Sequence, residues 1–397
     1  MKKIPFILSM TAFLLGGQVF ASVDILPGAV KLPHGTGSYA GTYSETGGTL
    51  TPVTLTVTEG TGGSCTYDAK IVYGAHADTG PESPVAINAS GNRVSVLSGS
   101  LTHGVYGAYG LSGDHVVASN NLVYVAGGVL DGLSVNNPIC GGYARSHPKL
   151  DRFGASEANG NVVIISGLGQ GSGLPNVDAG VAVNRGTTFG VAPLPTATAS
   201  NNELHLVGNG FSGTIHYGDK QSVSGVVGSA FRVGTASAGR TEASTYYKEE
   251  VITVAENNSI NIYGSGIEAT ALQGFDHLNF HMVESLVTSA DSMIALENGL
   301  NLSEVELSFS ICEAMSWAEG TTITLVQSKG TITISEEQTS KTWSFYDGDR
   351  LAAEGNMTVE GAALKMIISK VYPIPEPATG TLSLLALAGL CARRRRK

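Results

Sequence analysis

Histidine and cysteine are the side chains best suited to nucleophilic, acid–base or metal chemistry, and the nine His and four Cys of this 397-residue chain are scattered. Asp114-His115 stands near Ser112 and Ser119, the residue types of a hydrolytic triad. Neighbours on a strand point to opposite faces, so this acid and imidazole make a poor pair. Asp276, His277 and His281 form a second grouping, which reads more simply as a solvated turn. Cys65, Cys140 and Cys312 lack the CxxC or Cys/His spacing of a metal site. In an oxidising compartment a Cys65–Cys140 disulfide is one expectation; burial of all three as small core residues is the other. The chain has no Gly-x-Ser-x-Gly elbow, phosphate-binding Gly loop, HExxH or GGxGxD repeat. Its carboxylates do not bunch as polysaccharide cleavage would need. The expectation is no catalytic residue, no cofactor and no metal.

The elements that would carry these residues are strands. Glycine fills 52 positions and charged residues only 14% of the chain, while 42% is hydrophobic. That balance disfavours a helical protein and a disordered one alike. An Asn followed by alternating apolar residues recurs at Asn92, Asn121, Asn161, Asn202 and Asn258, with gaps of 29, 40, 41 and 56 residues. A second phrase alternates with it: Ile71-Val72-Tyr73-Gly74, Gly104-Val105-Tyr106-Gly107 and Ile139-Cys140-Gly141-Gly142-Tyr143. Val94, Val123, Val163, Leu204 and Ile260 would then share one inward face. Asn before each strand tolerates a turn, and Gly after it allows a corner. Recurrence on this scale predicts an all-β solenoid in which like strands stack on like. A pair of Greek-key sandwiches is the competing reading, but it does not require the same phrase to recur.

These phrases resemble the passenger regions of autotransporter adhesins, with Asn121 to Gly128, Gly104 to Gly110 and Asn161 to Gly167 as the nearest copies. The resemblance implies a right-handed parallel β-helix. Phe275-Asp276-His277-Leu278-Asn279-Phe280 resembles the phrase that leads into the end of such passengers, yet no translocator barrel of lipid-facing strands follows. The expected organisation is a β-rich N-terminal cap over 22–61, the β-helix over 62–281 and a β-rich C-terminal cap over 282–371. Trp317 and Trp343 would close the core in that cap. Short apolar helices are expected only in the two terminal segments.

Those segments read as addresses. Residues 1–21 run from Lys2 and Lys3 through an apolar stretch to Ala21, the layout of a signal peptide cleaved after Ala21. At the other end, Pro375-Glu376-Pro377 precedes an apolar stretch from Gly380 to Ala392, and Arg393, Arg394, Arg395, Arg396 and Lys397 close the chain. The apolar part, at ~1.5 Å per helical residue, falls short of a stable span, and the cations hold the end on the cytoplasmic side. Residues 372–397 thus resemble the PEP-CTERM sorting signal of Gram-negative bacteria. The resemblance implies export by the Sec machinery, transient anchoring in the inner membrane, processing by an exosortase near Pro377, and delivery to the outer membrane, cell surface or exterior.

Removing residues 1–21 and the tail beyond Pro377 leaves 16 basic residues against 33 acids, a net charge of about −17, which disfavours nucleic acid as a partner. The expected function is non-enzymatic: an adhesin-like or structural envelope protein whose flat walls meet extracellular glycans or surface proteins. The alternative is a β-helix lyase or hydrolase acting on extracellular polysaccharide. Three or more Asp, Glu, His or Arg side chains converging on one wall would mark it.

Overall fold

The computed structural model of the protein describes residues 23–33, 37–60, 66–67, 69–130, 138–147, 154–169, 173–185, 194–243, 251–288, 291–312, 315–347 and 350–372. The expected N-terminal signal, residues 373–397 and Cys65 lie outside the described residues. Within them the chain is all-β, built from large, mostly parallel sheets.

From Ile71 onward the chain visits three sheets in rotation. Ile71–Gly80 lies in a thirteen-stranded sheet, Ile87–Asn88 in a six-stranded sheet and Arg93–Val96 in a ten-stranded sheet. The next pass repeats that order with Gly104–Ser112, Val116–Val117 and Leu122–Val125, and the pass after it with Ile139–Ser146, Ala155–Glu157 and Val162–Ile165. Two more passes follow, beginning at Val177–Asn184 and Phe231–Ala243. Every strand pairs in parallel with its counterpart one pass earlier.

The register places like residues over like. Val94, Val123, Val163, Leu204 and Ile260 are successive partners in the ten-stranded sheet, all buried in one apolar cluster. Val72, Val105, Ile139 and Val177 face them from the thirteen-stranded sheet. A second, thinner core under the six-stranded sheet is largely alanine, including Ala89, Ala118, Ala158 and Ala199. Side chains this small let the two walls approach closely.

Between the walls runs a column of buried carboxamides. Asn92, Asn121, Asn161, Asn202 and Asn258 are each at most 1% exposed. Asn121 Oδ1 accepts from both the backbone N–H and Nδ2 of Asn92, at 2.9 Å each. The same double bond recurs from Asn121 to Asn161, from Asn161 to Asn202 and from Asn202 to Asn258. It ends at Asp276, whose Oδ2 accepts the Asn258 N–H at 3.0 Å. Left unpaired in an apolar interior, each of these N–H groups would cost about 1–3 kcal/mol. The column packs against the glycines of the Tyr-Gly phrase: a Cβ on Gly107 would sit 2.8 Å from Asn121 Cβ and 2.3 Å from the Gly141 carbonyl.

The turn expectation needs a correction of one residue. The left-handed conformation belongs to the position before each ladder Asn, namely Gly91 (φ 79°), Asn120 (57°), Gly160 (63°), Asn201 (56°) and Asn257 (59°). Asn and Gly dominate there because they tolerate that backbone region. The ladder Asn itself opens the strand.

Both ends depart from parallel pairing. Val23–Leu26 runs antiparallel to Thr54–Glu59 at one end. At the other, parallel pairing continues through Glu306–Ile311 and Thr322–Ser328, and then Ala363–Val371, Arg350–Glu360 and Thr342–Asp347 add antiparallel strands. Trp343 is buried there, its ring 4.8 Å from that of Phe309, while Trp317 lies half-buried against Phe345. The restriction of helices to the termini is overturned. Ser285–Thr288 and Glu336–Ser340 are short helices of the C-terminal region. The second starts at a capping box in which Ser335 and Gln338 satisfy each other's backbone N–H groups.

Candidate functional site

The structure keeps apart the side chains that the sequence grouped for chemistry. Ser112 Oγ donates to the Val85 carbonyl at 2.6 Å, whereas His115 turns to Glu157 at 3.3 Å. Asp276 closes the asparagine column. His277 lies between Glu306 and Asn257, at 3.1 Å from each. His281 lies half-buried against the Tyr263 ring, 4.0 Å between centroids, with Nδ1 2.6 Å from Ser310 Oγ and Nε2 3.2 Å from Asn261 Oδ1. Burial, with His205 adding to it, drives its pKa down to about 3. Cys140 is a fully buried free thiol and Cys312 is exposed, so the expectation of three buried thiols fails at the exposed edge where Cys312 ends its strand. Of the expected Cys65–Cys140 pair, Cys65 lies outside the described residues.

A cleft is made by an insertion between Asn202 and Asn258. The hairpin of Ser212–Tyr217 and Gln221–Val227 folds across the outer face of the ten-stranded sheet. Ile215, Tyr217 and Val226 join Val162, Ile164 and Val207 in the apolar cluster, so Val162–Ile165 is buried on both faces. Gln221 Oε1 accepts from Arg93 at 2.8 Å, and the Gly218 N–H donates to Glu203 Oε1 at 2.9 Å, tying the hairpin tip to the wall. Beneath that tip opens a cavity of about 1020 Å³, lined by Arg93, Glu203, Lys220 and His277 and by the turn carboxamides of Asn120, Asn201 and Asn257. Burial works against the Glu203 carboxylate, but its bond to His205 at 3.1 Å and the Gly218 N–H outweigh burial, and its pKa lies below the usual value. The Tyr217 hydroxyl is buried in this wall without a hydrogen-bond partner, although the Arg93 guanidinium lies near it and opposes the upward push of burial on its pKa.

The outer face of the thirteen-stranded sheet is aromatic. Tyr73 stacks on Tyr106 at 5.0 Å, and beside them His76, Tyr109 and Tyr143 form a stacked file with centroid distances of 5.0 and 5.1 Å, with Tyr43 tilted against His76 at 5.7 Å. The Tyr-Gly phrase repeats the rings pass by pass, and parallel register lays one over the next. Two passes further on, charge replaces the rings. Arg240 pairs with Asp178 at 3.5 Å and also with Glu242. Burial outweighs the guanidinium and keeps the Asp178 carboxyl above its ordinary pKa. Three charged side chains therefore do converge on one wall. Among the described residues no group of three or more His, Cys, Asp and Glu is placed to hold a metal.

Sequence reasoning missed the hairpin cleft. Its traces were the 56-residue gap between Asn202 and Asn258 and the unbroken apolar run Val162-Val163-Ile164-Ile165, which marks a strand covered on both sides.

Comparison with protein families matches residues 373–397 to the PEP-CTERM protein-sorting motif. Neither the curated proteins nor the solved structures provide a match. The matched motif supports an exported surface protein that an exosortase sorts, with a C-terminal anchor and the exosortase as processing partner. Among the described residues no helix is long and apolar enough to cross a membrane.

Proposed function

We propose that the protein is a right-handed parallel β-helix, similar to an autotransporter passenger, that serves outside the inner membrane as an adhesin-like contact surface. The rotation through three sheets, with one Asn-headed strand per pass, supports the solenoid. Residues 22–61 and 282–371 would close its ends and 62–281 form the shaft. Sec export with cleavage after Ala21, then exosortase cleavage near Pro375-Glu376-Pro377, would deliver it to the outer membrane, cell surface or medium. Arg393, Arg394, Arg395, Arg396 and Lys397 would act as the stop on the cytoplasmic side.

The observation that carries the contact role is the cleft under the hairpin. It brings the carboxamides of Asn120, Asn201 and Asn257 together with Arg93, Glu203 and Lys220, a mixture of donors and acceptors suited to the hydroxyls of extracellular glycans or to envelope proteins. The test is binding of purified mature protein to intact cells, mucin-type glycans and envelope fractions, with and without the hairpin Ser212–Val227. Retention on one of these and its loss on hairpin deletion is expected; no retention by the complete protein would remove the adhesin role. Sorting is tested separately by mass spectrometry of both termini, where an intact Arg393 to Lys397 in the surface fraction would contradict it.

One observation favours the enzymatic alternative, a polysaccharide lyase or hydrolase: the convergence of Asp178, Arg240 and Glu242. Arg240 lies between two carboxylates, which favours a structural ion network over an acid–base pair. Chain cleavage of an extracellular polysaccharide, lost in Asp178→Asn, would establish the enzyme instead.

A further inference from the structure

The aromatic file on the thirteen-stranded sheet opens, at its N-terminal end, onto a cavity of about 510 Å³. Tyr43, Tyr73 and His76 wall it with rings in different planes: His76 lies at 39° to Tyr43 and at 76° to Tyr73. Leu32 adds an apolar wall, and Glu45 and Asp78 supply carboxylates at the rim. No Lys or Arg is among the described residues that line it.

At Tyr43 and Tyr73 the charged neighbours are carboxylates, whereas Tyr109, further along the file, also feels Arg145. Tyr43 is pushed up to about 12, by burial first and then by Glu45, to whose Oε1 it donates at 2.6 Å, with Asp78 adding to both. Asp78 likewise raises Tyr73 and Tyr109, each already raised by burial. Burial lowers His76 to about 4 despite Asp78, so the imidazole is neutral at pH 7 and adds no positive charge. Its Nδ1 is buried without a hydrogen-bond partner, a polar atom that the protein leaves unsatisfied beside the cavity. Ring faces are negative, and two carboxylates line the same cavity. Ser38 and Thr79 are the other polar side chains of the lining, the Thr79 hydroxyl already donating to the Leu111 carbonyl, and an anion would be repelled by the two carboxylates. A strongly hydrated cation would lose more water than these walls replace. A large, weakly hydrated organic cation matches the rings, Leu32 and the two carboxylates together.

We propose that the cavity bounded by Tyr43, Tyr73, His76, Glu45 and Asp78 is a binding site for a quaternary ammonium group, of the trimethylammonium type carried by choline. The site stands on this cavity alone and does not depend on the adhesin reading.

The test is calorimetric titration of the mature protein at pH 7 with choline chloride and, in parallel, with 3,3-dimethyl-1-butanol, which has the same shape with a neutral carbon in place of the cation. Saturable choline binding at least roughly tenfold tighter than the neutral alcohol is expected from cation–π and carboxylate attraction together. Asp78→Asn and Glu45→Gln keep the shape and remove the charge, and together they should weaken choline by roughly tenfold with an unchanged far-UV circular dichroism spectrum. Equal binding of the alcohol, tighter binding of methylammonium than of choline, full affinity in the double variant, or no saturable choline binding would each overturn the assignment. None of these results would alter the outcome of the cell and glycan binding assays.

Discussion

Asn161 accepts on one carboxamide oxygen the backbone N–H and the Nδ2 of Asn121, both at 3.0 Å, while its own N–H donates to Asn202 Oδ1 at 2.9 Å. One side chain thus satisfies the pass on one side and is satisfied by the pass on the other. Asn161→Ala would leave the buried Asn121 N–H without a partner. A loss of about 2–3 kcal/mol in urea-unfolding free energy is expected, at a site with no solvent contact to replace the bond. A loss below a few tenths would mean that the column does not contribute to stability.

The turn before the column gives a second prediction. Asn120 holds φ 57°, where a β-branched side chain is strained and glycine is not. Asn120→Val should cost about 1–2 kcal/mol and Asn120→Gly close to nothing, which paired thermal melts can check.

Glycines separate into two kinds by the same measurement. Gly107→Ala drives a Cβ to 2.3 Å from the Gly141 carbonyl and should cost about 3 kcal/mol or prevent folding. Gly80→Ala meets nothing within 4 Å and carries only the penalty of φ 80°, about 1 kcal/mol. Similar costs at the two positions would contradict the close packing of rings and column.

Acid should loosen the fold through His281. Its folded pKa of about 3 lies below the unfolded value near 6.5, so the unfolded chain takes up the proton first as pH falls. The stability it contributes is complete above about pH 6.5 and is lost progressively down to about pH 3. At pH 5 the loss amounts to about 2 kcal/mol from this residue. Replacing it in His281→Asn should flatten the dependence of unfolding free energy on pH in that window. His76 and His147, each lowered to about 4, would leave a remaining slope.

The architecture was legible wherever repetition reported a shared environment. Val94, Val123, Val163, Leu204 and Ile260 fall in one register because each follows an Asn at the same distance, and spacing along the chain became spacing across a sheet. The role of that Asn was less legible. A residue common in turns looked like a turn residue, and only the hydrogen bonds between passes show that the turn belongs to its predecessor. The cleft and the ring-walled cavity were opaque for a different reason. Each joins segments that share no phrase: Arg93 meets Gln221 across 128 residues, and Tyr43 lies near His76 only through the first parallel pairing. The Glu336–Ser340 helix escaped notice because five residues are too few to show a helical period.

The asparagine column also bears on how such a chain can change in length. Every interior rung offers the same acceptor to one neighbour and the same donors to the other, so a whole pass can be duplicated or deleted without orphaning a polar group at the seam. Only Asp276, a carboxylate with no amide hydrogens to pass on, is fixed in place as the terminus. Whole passes of the stacked parallel strands are therefore the natural unit of gain or loss, while the two antiparallel ends stay as they are.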